Sequence, residues 1–240
     1  MRSTRSAIVA LSACAVLAGC SSTPVDGAPV VHIAEAAKPS PSRPLDQALP
    51  TVNELATVLG TPGFMGKVVK GGPEMLLQGV QESEATPIDC VSAGYRLEKV
   101  AYQASPVQSV ASQSWPGGDQ NGPSYSGFFG AVKFDTADDA QAFLAATADK
   151  WNRCNGQTLV LHQPEHGADG LSRITDVSVA NTIVSAVVLH GDGSTIQRAV
   201  GVASDCVVDV EVTNPPGVTG GDAAGAVGVA NLMLQKIGVS

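Results

Sequence analysis

The stretch Thr182-Ile183-Val184-Ser185-Ala186-Val187-Val188-Leu189-His190, then Gly191-Asp192-Gly193, then Thr195 to Ala203, Ser204-Asp205 and Cys206 to Thr213 decides the fold. Three runs rich in β-branched residues are parted only by short Gly, Asp and Ser turns. Turns this short join antiparallel neighbours. Working outward, Ser172–Ala180 adds a strand before this meander and Thr158–His162 another. Val107–Trp115 and Ser124–Phe134 read as two further strands, joined by the loop Pro116-Gly117-Gly118-Asp119-Gln120-Asn121-Gly122-Pro123.

Helices flank the strands. Thr136 caps one, with Asp139 at the third helical position. Ala140, Phe143, Leu144, Thr147 and Trp151 then recur on one face until the helix ends near Cys154–Gly156. Ala223–Ile237 is a final helix, with Ala226, Val229, Ala230, Met233 and Ile237 on one face. Thr51-Val52-Asn53-Glu54 reads as a capping box opening a helix that Gly60 and Pro62 stop. Glu74–Gln81 is expected to form another short helix. An antiparallel sheet packed against helices is an α+β domain, predicted to occupy residues 51–240.

The N-terminus reads as an address. Arg2 and Arg5 precede an apolar run, Ala7–Ala18, too short to span a bilayer and fitting a signal-peptide core. Leu17-Ala18-Gly19-Cys20 resembles the lipobox of bacterial lipoproteins. That resemblance implies removal of residues 1–19 and diacylation of the Cys20 sulfur, an anchor of two or more chains on the extracytoplasmic face of the membrane. Residues 20–50, with Pro24, Pro29, Pro39, Pro41, Pro44 and Pro50, read as a semi-rigid proline-rich tether.

The chain has 240 residues and a formal net charge of −8, with 44% hydrophobic and 15% charged residues. That acidity argues against nucleic acid and against electrostatic docking on anionic lipid. Gly66-Lys67 is no phosphate-binding loop, because Gly60 is one residue too far away and Val68 follows the lysine. His162, Glu165 and His166 have an H-x-x-E-H order, but Pro164 and Gly167 exclude the helix a zinc site would need. G-x-S-x-G is absent, and neither metal nor cofactor is expected. Cys90, Cys154 and Cys206 allow one disulfide and leave one cysteine over. Trp151 is expected in the core. Trp115 and Tyr125 flank the glycine-rich loop and are the candidate exposed aromatics for a ligand.

The segment Phe134-Asp135-Thr136-Ala137-Asp138-Asp139-Ala140-Gln141-Ala142-Phe143, ending in Trp151-Asn152-Arg153-Cys154, resembles the PknH-like extracellular sensor domains of mycobacteria. Gln197-Arg198-Ala199-Val200 followed by Val207-Val208-Asp209-Val210 strengthens the likeness. The resemblance implies one α+β domain with a groove between sheet and helices, found on membrane kinases and as free-standing lipoproteins. Its implied role is binding or sensing a small-molecule or cell-envelope ligand, without catalysis; a cell-envelope enzyme of unrecognised type is the alternative. Asp209 alternates with apolar neighbours, so it is expected to face solvent or line the groove. Where the family carries two further cysteines this chain has Ile196 and Thr213. Those two are implied to sit together at the open end of a hairpin, as partners of the equivalents of Cys90 and Cys154. The resemblance therefore implies a Cys90–Cys154 bridge here, with Cys206 unpaired.

Overall fold

The computed structural model describes residues 44–118, 125–162, 169–214 and 223–238. The elements are α1 (Val52–Leu59), β1 (Val69–Gly71), β2 (Ala85–Thr86), α2 (Val91–Gly94), α3 (Lys99–Tyr102), β3 (Val107–Pro116) and β4 (Ser126–Phe134). Then come α4 (Ala137–Cys154), β5 (Thr158–Leu161), β6 (Gly170–Ala180), β7 (Ile183–His190), β8 (Thr195–Ala203), β9 (Cys206–Asn214) and α5 (Ala224–Gly238). Among the described residues one antiparallel sheet runs β1-β3-β4-β9-β8-β7-β6-β5-β2. Its edges are strands of three and two residues, β1 and β2. Edges this short offer little template for strand addition.

Both faces of the sheet are covered. On one, Phe143, Leu144 and Trp151 of α4 pack on Val184, Val188, Val200, Val202 and Val207. On the other, Ala226, Val229, Ala230 and Met233 of α5 pack on Ala199, Val208, Val210 and Val212. Double coverage explains why β7, β8 and β9 read as nearly continuous apolar runs rather than alternating ones. Helices α4 and α5 lie directly on the sheet, and these contacts do not by themselves define the expected groove.

The helix starts form as their sequences dictate. Glu54 N–H donates to Thr51 Oγ1 at 3.4 Å, and Thr51 N–H donates to the Glu54 carboxylate at 2.7 Å. Gly60, at φ 68°, ends α1 in a left-handed conformation that costs glycine nothing. Thr136 caps α4 by accepting from Asp139 N–H at 3.1 Å.

Two expectations are corrected. Among the described residues the packing already extends N-terminal to Thr51, because a 3₁₀ turn at Leu45–Ala48 buries Ala48 and Leu49 beneath α5. No helix spans Glu74–Gln81. A 3₁₀ turn covers only Pro73–Met75, and the chain beyond it bonds elsewhere. Leu77 N–H donates to Leu97 O at 2.9 Å, and Val80 N–H donates to the Glu98 carboxylate at 3.0 Å. Tertiary partners thus claim the donors that a helix would have used.

Candidate ligand site at the loop end of the sheet

Arg198 organises the α4 side of the sheet. Its side chain has no exposed surface. Nε donates to Ala93 O at 3.3 Å, Nη2 to Ser92 O at 3.1 Å and Tyr95 O at 3.2 Å, and Nη1 to Val210 O at 3.2 Å. Three of these carbonyls close the C-terminal end of α2, where a cation meets the negative end of the peptide dipoles. Nη1 also stands 2.8 Å from Asp209 Oδ1. That contact is ionic, since Oδ1 accepts no aligned hydrogen bond. The other oxygen of Asp209 accepts from Leu97 N–H at 2.9 Å and from the Tyr102 hydroxyl at 3.0 Å. Complete burial, then the Asp209 charge, holds the Tyr102 hydroxyl protonated far above its ordinary range.

Asp209 is therefore not the exposed or groove-lining carboxylate the sequence led us to expect. It is 2% exposed and holds the segment 92–102 on the sheet. Its strand is covered on both faces, so alternation with apolar neighbours could not reveal solvent. Gln197 points to the opposite face. Its Oε1 accepts from Gly225 N–H at 2.8 Å and Ala226 N–H at 3.2 Å, capping α5. The pair Gln197-Arg198 thus ties both helical layers to one strand.

Trp115 is also corrected. It is fully buried on the α5 side. Gly63 and Gly117 flank it so closely that a Cβ on either would meet the indole at 2.2 Å. Tyr125 is half-buried against the same cluster, with its carbonyl accepting from Gly117 N–H at 2.8 Å. Trp115 and Tyr125 therefore lie away from Asp209, on the other face. Trp151 is core, as expected, and its Nε1 donates to Ser92 Oγ at 3.0 Å. Cys20 and residues 163–168, with Glu165 and His166, lie outside the described residues.

The disulfide is as the resemblance implied. Cys90 and Cys154 are bridged, with Cα atoms 5.6 Å apart, joining α2 to the end of α4. Cys206 is a free, buried thiol. Burial, then its bond to Asp205, pushes the thiol up to about 12. Its thiolate fraction near neutral pH is then lower than that of an ordinary cysteine by on the order of 10³-fold. Alkylation of the folded protein by iodoacetamide should be slowed on that scale relative to the same chain in denaturant; an equal rate would contradict the burial. Ile196 and Thr213 face each other across β8 and β9, at the hairpin's open end.

That open end collects the polar side chains the sequence reading missed. Strands β3, β5, β7 and β9 all finish there, as the pairs Pro116 with Ser126, Leu161 with Gly170, Leu189 with Thr195 and Ile196 with Thr213 show. On the α4 face, Arg96 donates from Nη1 to Glu211 at 2.6 Å and lies 4.1 Å over the Phe128 ring. His190 Nδ1 is 3.0 Å from Ser172 Oγ, which is 3.4 Å from the Tyr95 hydroxyl. Arg96 Nε and His190 Nε2 are buried and have no partner among the described residues. Ser172 has no exposed surface, so its hydroxyl does not meet solvent. Burial depresses the His190 imidazole, partly offset by the Asp192 and Glu211 carboxylates. A histidine lowered on folding contributes stability that is complete above its unfolded value and is lost as pH falls below it. Unfolding temperature should therefore drop by a few degrees from about pH 7.5 to about pH 5. His190→Gln should flatten that part of the profile; an unchanged slope would overturn the assignment.

A disulfide-tied, helix-flanked antiparallel sheet with a polar cluster at its loop end defines an α+β domain of extracellular type. The chain belongs to the PknH-like extracellular domain family, whose model matches residues 40–236. It is 34% identical over 96 residues to the serine/threonine-protein kinases PknH of Mycobacterium bovis and Mycobacterium tuberculosis. That match covers 36% of this chain and 15% and 14% of those kinases, so the chain corresponds to a small part of them. The crystal structure of the extracellular domain of PknH from Mycobacterium tuberculosis shares the fold. Its TM-score is 0.68 at 22% identity, with 85% of this chain and 99% of that one covered.

Proposed function

We propose that the protein is a lipid-anchored extracytoplasmic lipoprotein whose domain binds a small-molecule or cell-envelope ligand as a non-catalytic sensor module. The signal at residues 1–19 directs export and is removed, the acylated Cys20 supplies the membrane anchor, and the proline-rich tether read over residues 20–50 carries the domain away from the bilayer. One observation carries the ligand reading. Among the described residues Arg96 Nε is a buried donor without an acceptor, and His190 Nε2 is buried without a hydrogen-bond partner, both on a half-exposed patch at the loop end. Leaving a buried donor unpaired costs about 1–3 kcal/mol, a cost that a ligand acceptor would relieve. Family membership supports sensing as the outcome of that binding. The burial of Ser172 favours binding over acyl-transfer chemistry at its hydrogen bond with His190.

Native mass spectrometry of the full protein extracted from its own membrane tests both halves. A diacylated Cys20 terminus and a non-covalent adduct lost in Arg96→Ala are expected. An unmodified terminus downstream of Cys20 would remove the anchor. A bare protein whose hydrogen exchange at residues 92–98 is unaffected by envelope extract would remove the ligand.

A further inference from the structure

The loop-end patch offers a donor and an acceptor at each of its two sides. On one side Arg96 Nη1 donates to Glu211 Oε1 at 2.6 Å, while Arg96 Nε has no acceptor among the described residues. Glu211 carries a second carboxylate oxygen, so a donor and an acceptor stand side by side. The Arg96 side chain is 32% exposed and that of Glu211 10%, so solvent reaches the pair. On the other side His190 Nε2 has no partner among the described residues. Its Nδ1 meets Ser172 Oγ at 3.0 Å, and Ser172 Oγ meets the Tyr95 hydroxyl at 3.4 Å. Both hydroxyls rotate. Nε2 therefore donates when Ser172 donates to Nδ1, and accepts when Ser172 accepts from it.

Charge and shape narrow the ligand. The Arg96 guanidinium is already neutralised by Glu211 in contact, and the Glu98 carboxylate lies within its field. Burial holds the His190 imidazole toward its neutral form. A phosphate or carboxylate would thus meet Glu211 without a spare cation to offset the repulsion. A hydroxyl donates and accepts through one oxygen, so it satisfies Arg96 Nε beside Glu211, and His190 in either tautomer. The two sides are well separated. Glu211 faces Arg198, and Arg198 faces Ala186, four residues short of His190. Glu211 and His190 therefore stand about 10 Å apart across the strands and about 13 Å along them. Half-exposed Ile196 and Thr213, paired across β8 and β9, lie midway on the same face, with the half-exposed Tyr95 ring beside His190. That distance exceeds the reach of one sugar ring.

Resting on the loop-end ligand reading, we propose that the patch binds an extended neutral oligosaccharide. Hydroxyls of one ring pair with Arg96 Nε and Glu211, and hydroxyls of a farther ring pair with His190 Nε2. The C–H faces between them lie over Ile196, Thr213 and Tyr95. Acidic sugars bind more weakly, because Glu211 already occupies the cation they would need.

NMR titration of the full chain, in a zwitterionic detergent without a sugar head, tests the ligand class. Maltotriose, cellotriose and galactotriose are the neutral probes, and trigalacturonic acid is the anionic counterpart. At least one neutral trisaccharide should saturably shift the Arg96 Nε–H signal and the methyls of Ile196 and Thr213. Trigalacturonic acid should bind about tenfold more weakly, the effect of carboxylates facing Glu211. Glu211→Gln frees the Arg96 charge, so that preference should vanish or invert. Where Glu211→Gln unfolds the domain, Thr213→Trp replaces it. That variant covers the row between the two sides and should weaken neutral binding about tenfold. No saturable response to any neutral trisaccharide, or tighter binding of trigalacturonic acid by the wild type, would overturn the proposal. So would an unchanged preference in folded Glu211→Gln, or unchanged binding in Thr213→Trp. The two readings fail separately. An envelope adduct lost in Arg96→Ala without any response to sugars removes only the oligosaccharide; an adduct kept in Arg96→Ala removes the site itself.

Discussion

Arg198→Met should destabilise the domain by about 3–5 kcal/mol, because it leaves Asp209 as a buried charge without its partner. The guanidinium also holds the carbonyls of Ser92, Ala93 and Tyr95, and a methionine stem satisfies none of them. Urea unfolding is the measurement. The midpoint should fall with little change in slope, since the surface exposed on unfolding is nearly the same. Pairing Arg198→Met with Asp209→Leu should recover part of the loss, as the orphaned carboxylate goes too. A loss below about 1 kcal/mol would be the behaviour of a solvated surface pair and would contradict the burial seen here.

Opening the Cys90–Cys154 bridge should have a comparable effect. The bridge closes a 64-residue separation. On the chain-entropy estimate, removing it costs about 4 kcal/mol, less any strain relieved. The ion pairs of Asp89 with Lys150 and Arg153, at 3.5 and 3.6 Å across the same junction, involve exposed side chains and add little. The double replacement Cys90→Ser with Cys154→Ser should melt well below wild type. A conservative Cys206→Ser change should act only locally. Equal melting of oxidised and reduced protein would mean that the packing of Trp151 and Ser92 alone fastens α2 to α4.

The two ends of the sheet differ in chemistry. The polar cluster of Tyr95, Arg96, Ser172, His190 and Glu211 lies where loops depart. At the other end, two-residue turns, Asn181–Thr182 and Ser204–Asp205, close the hairpins. Arg198 and Gln197 link the two helical layers from neighbouring positions on one strand.

Sequence alone determined the local structure. Alternation, turn residues and caps give the strands from Val107 onward, the face of α4 and the capping box at Thr51, because each depends on neighbours within a few residues. Family motifs added the Cys90–Cys154 bridge. Tertiary structure decided what each polar or aromatic residue faces. Asp209 and Trp115 look exposed from their neighbours, yet both are buried, because helices cover the two sheet faces and Gly63 closes over the indole. The loop-end cluster was illegible for the same reason. Arg96 meets Glu211 across 115 residues, and Ser172 meets His190 across 18. No local pattern records which side chains a nine-stranded sheet brings together; strand order and register do.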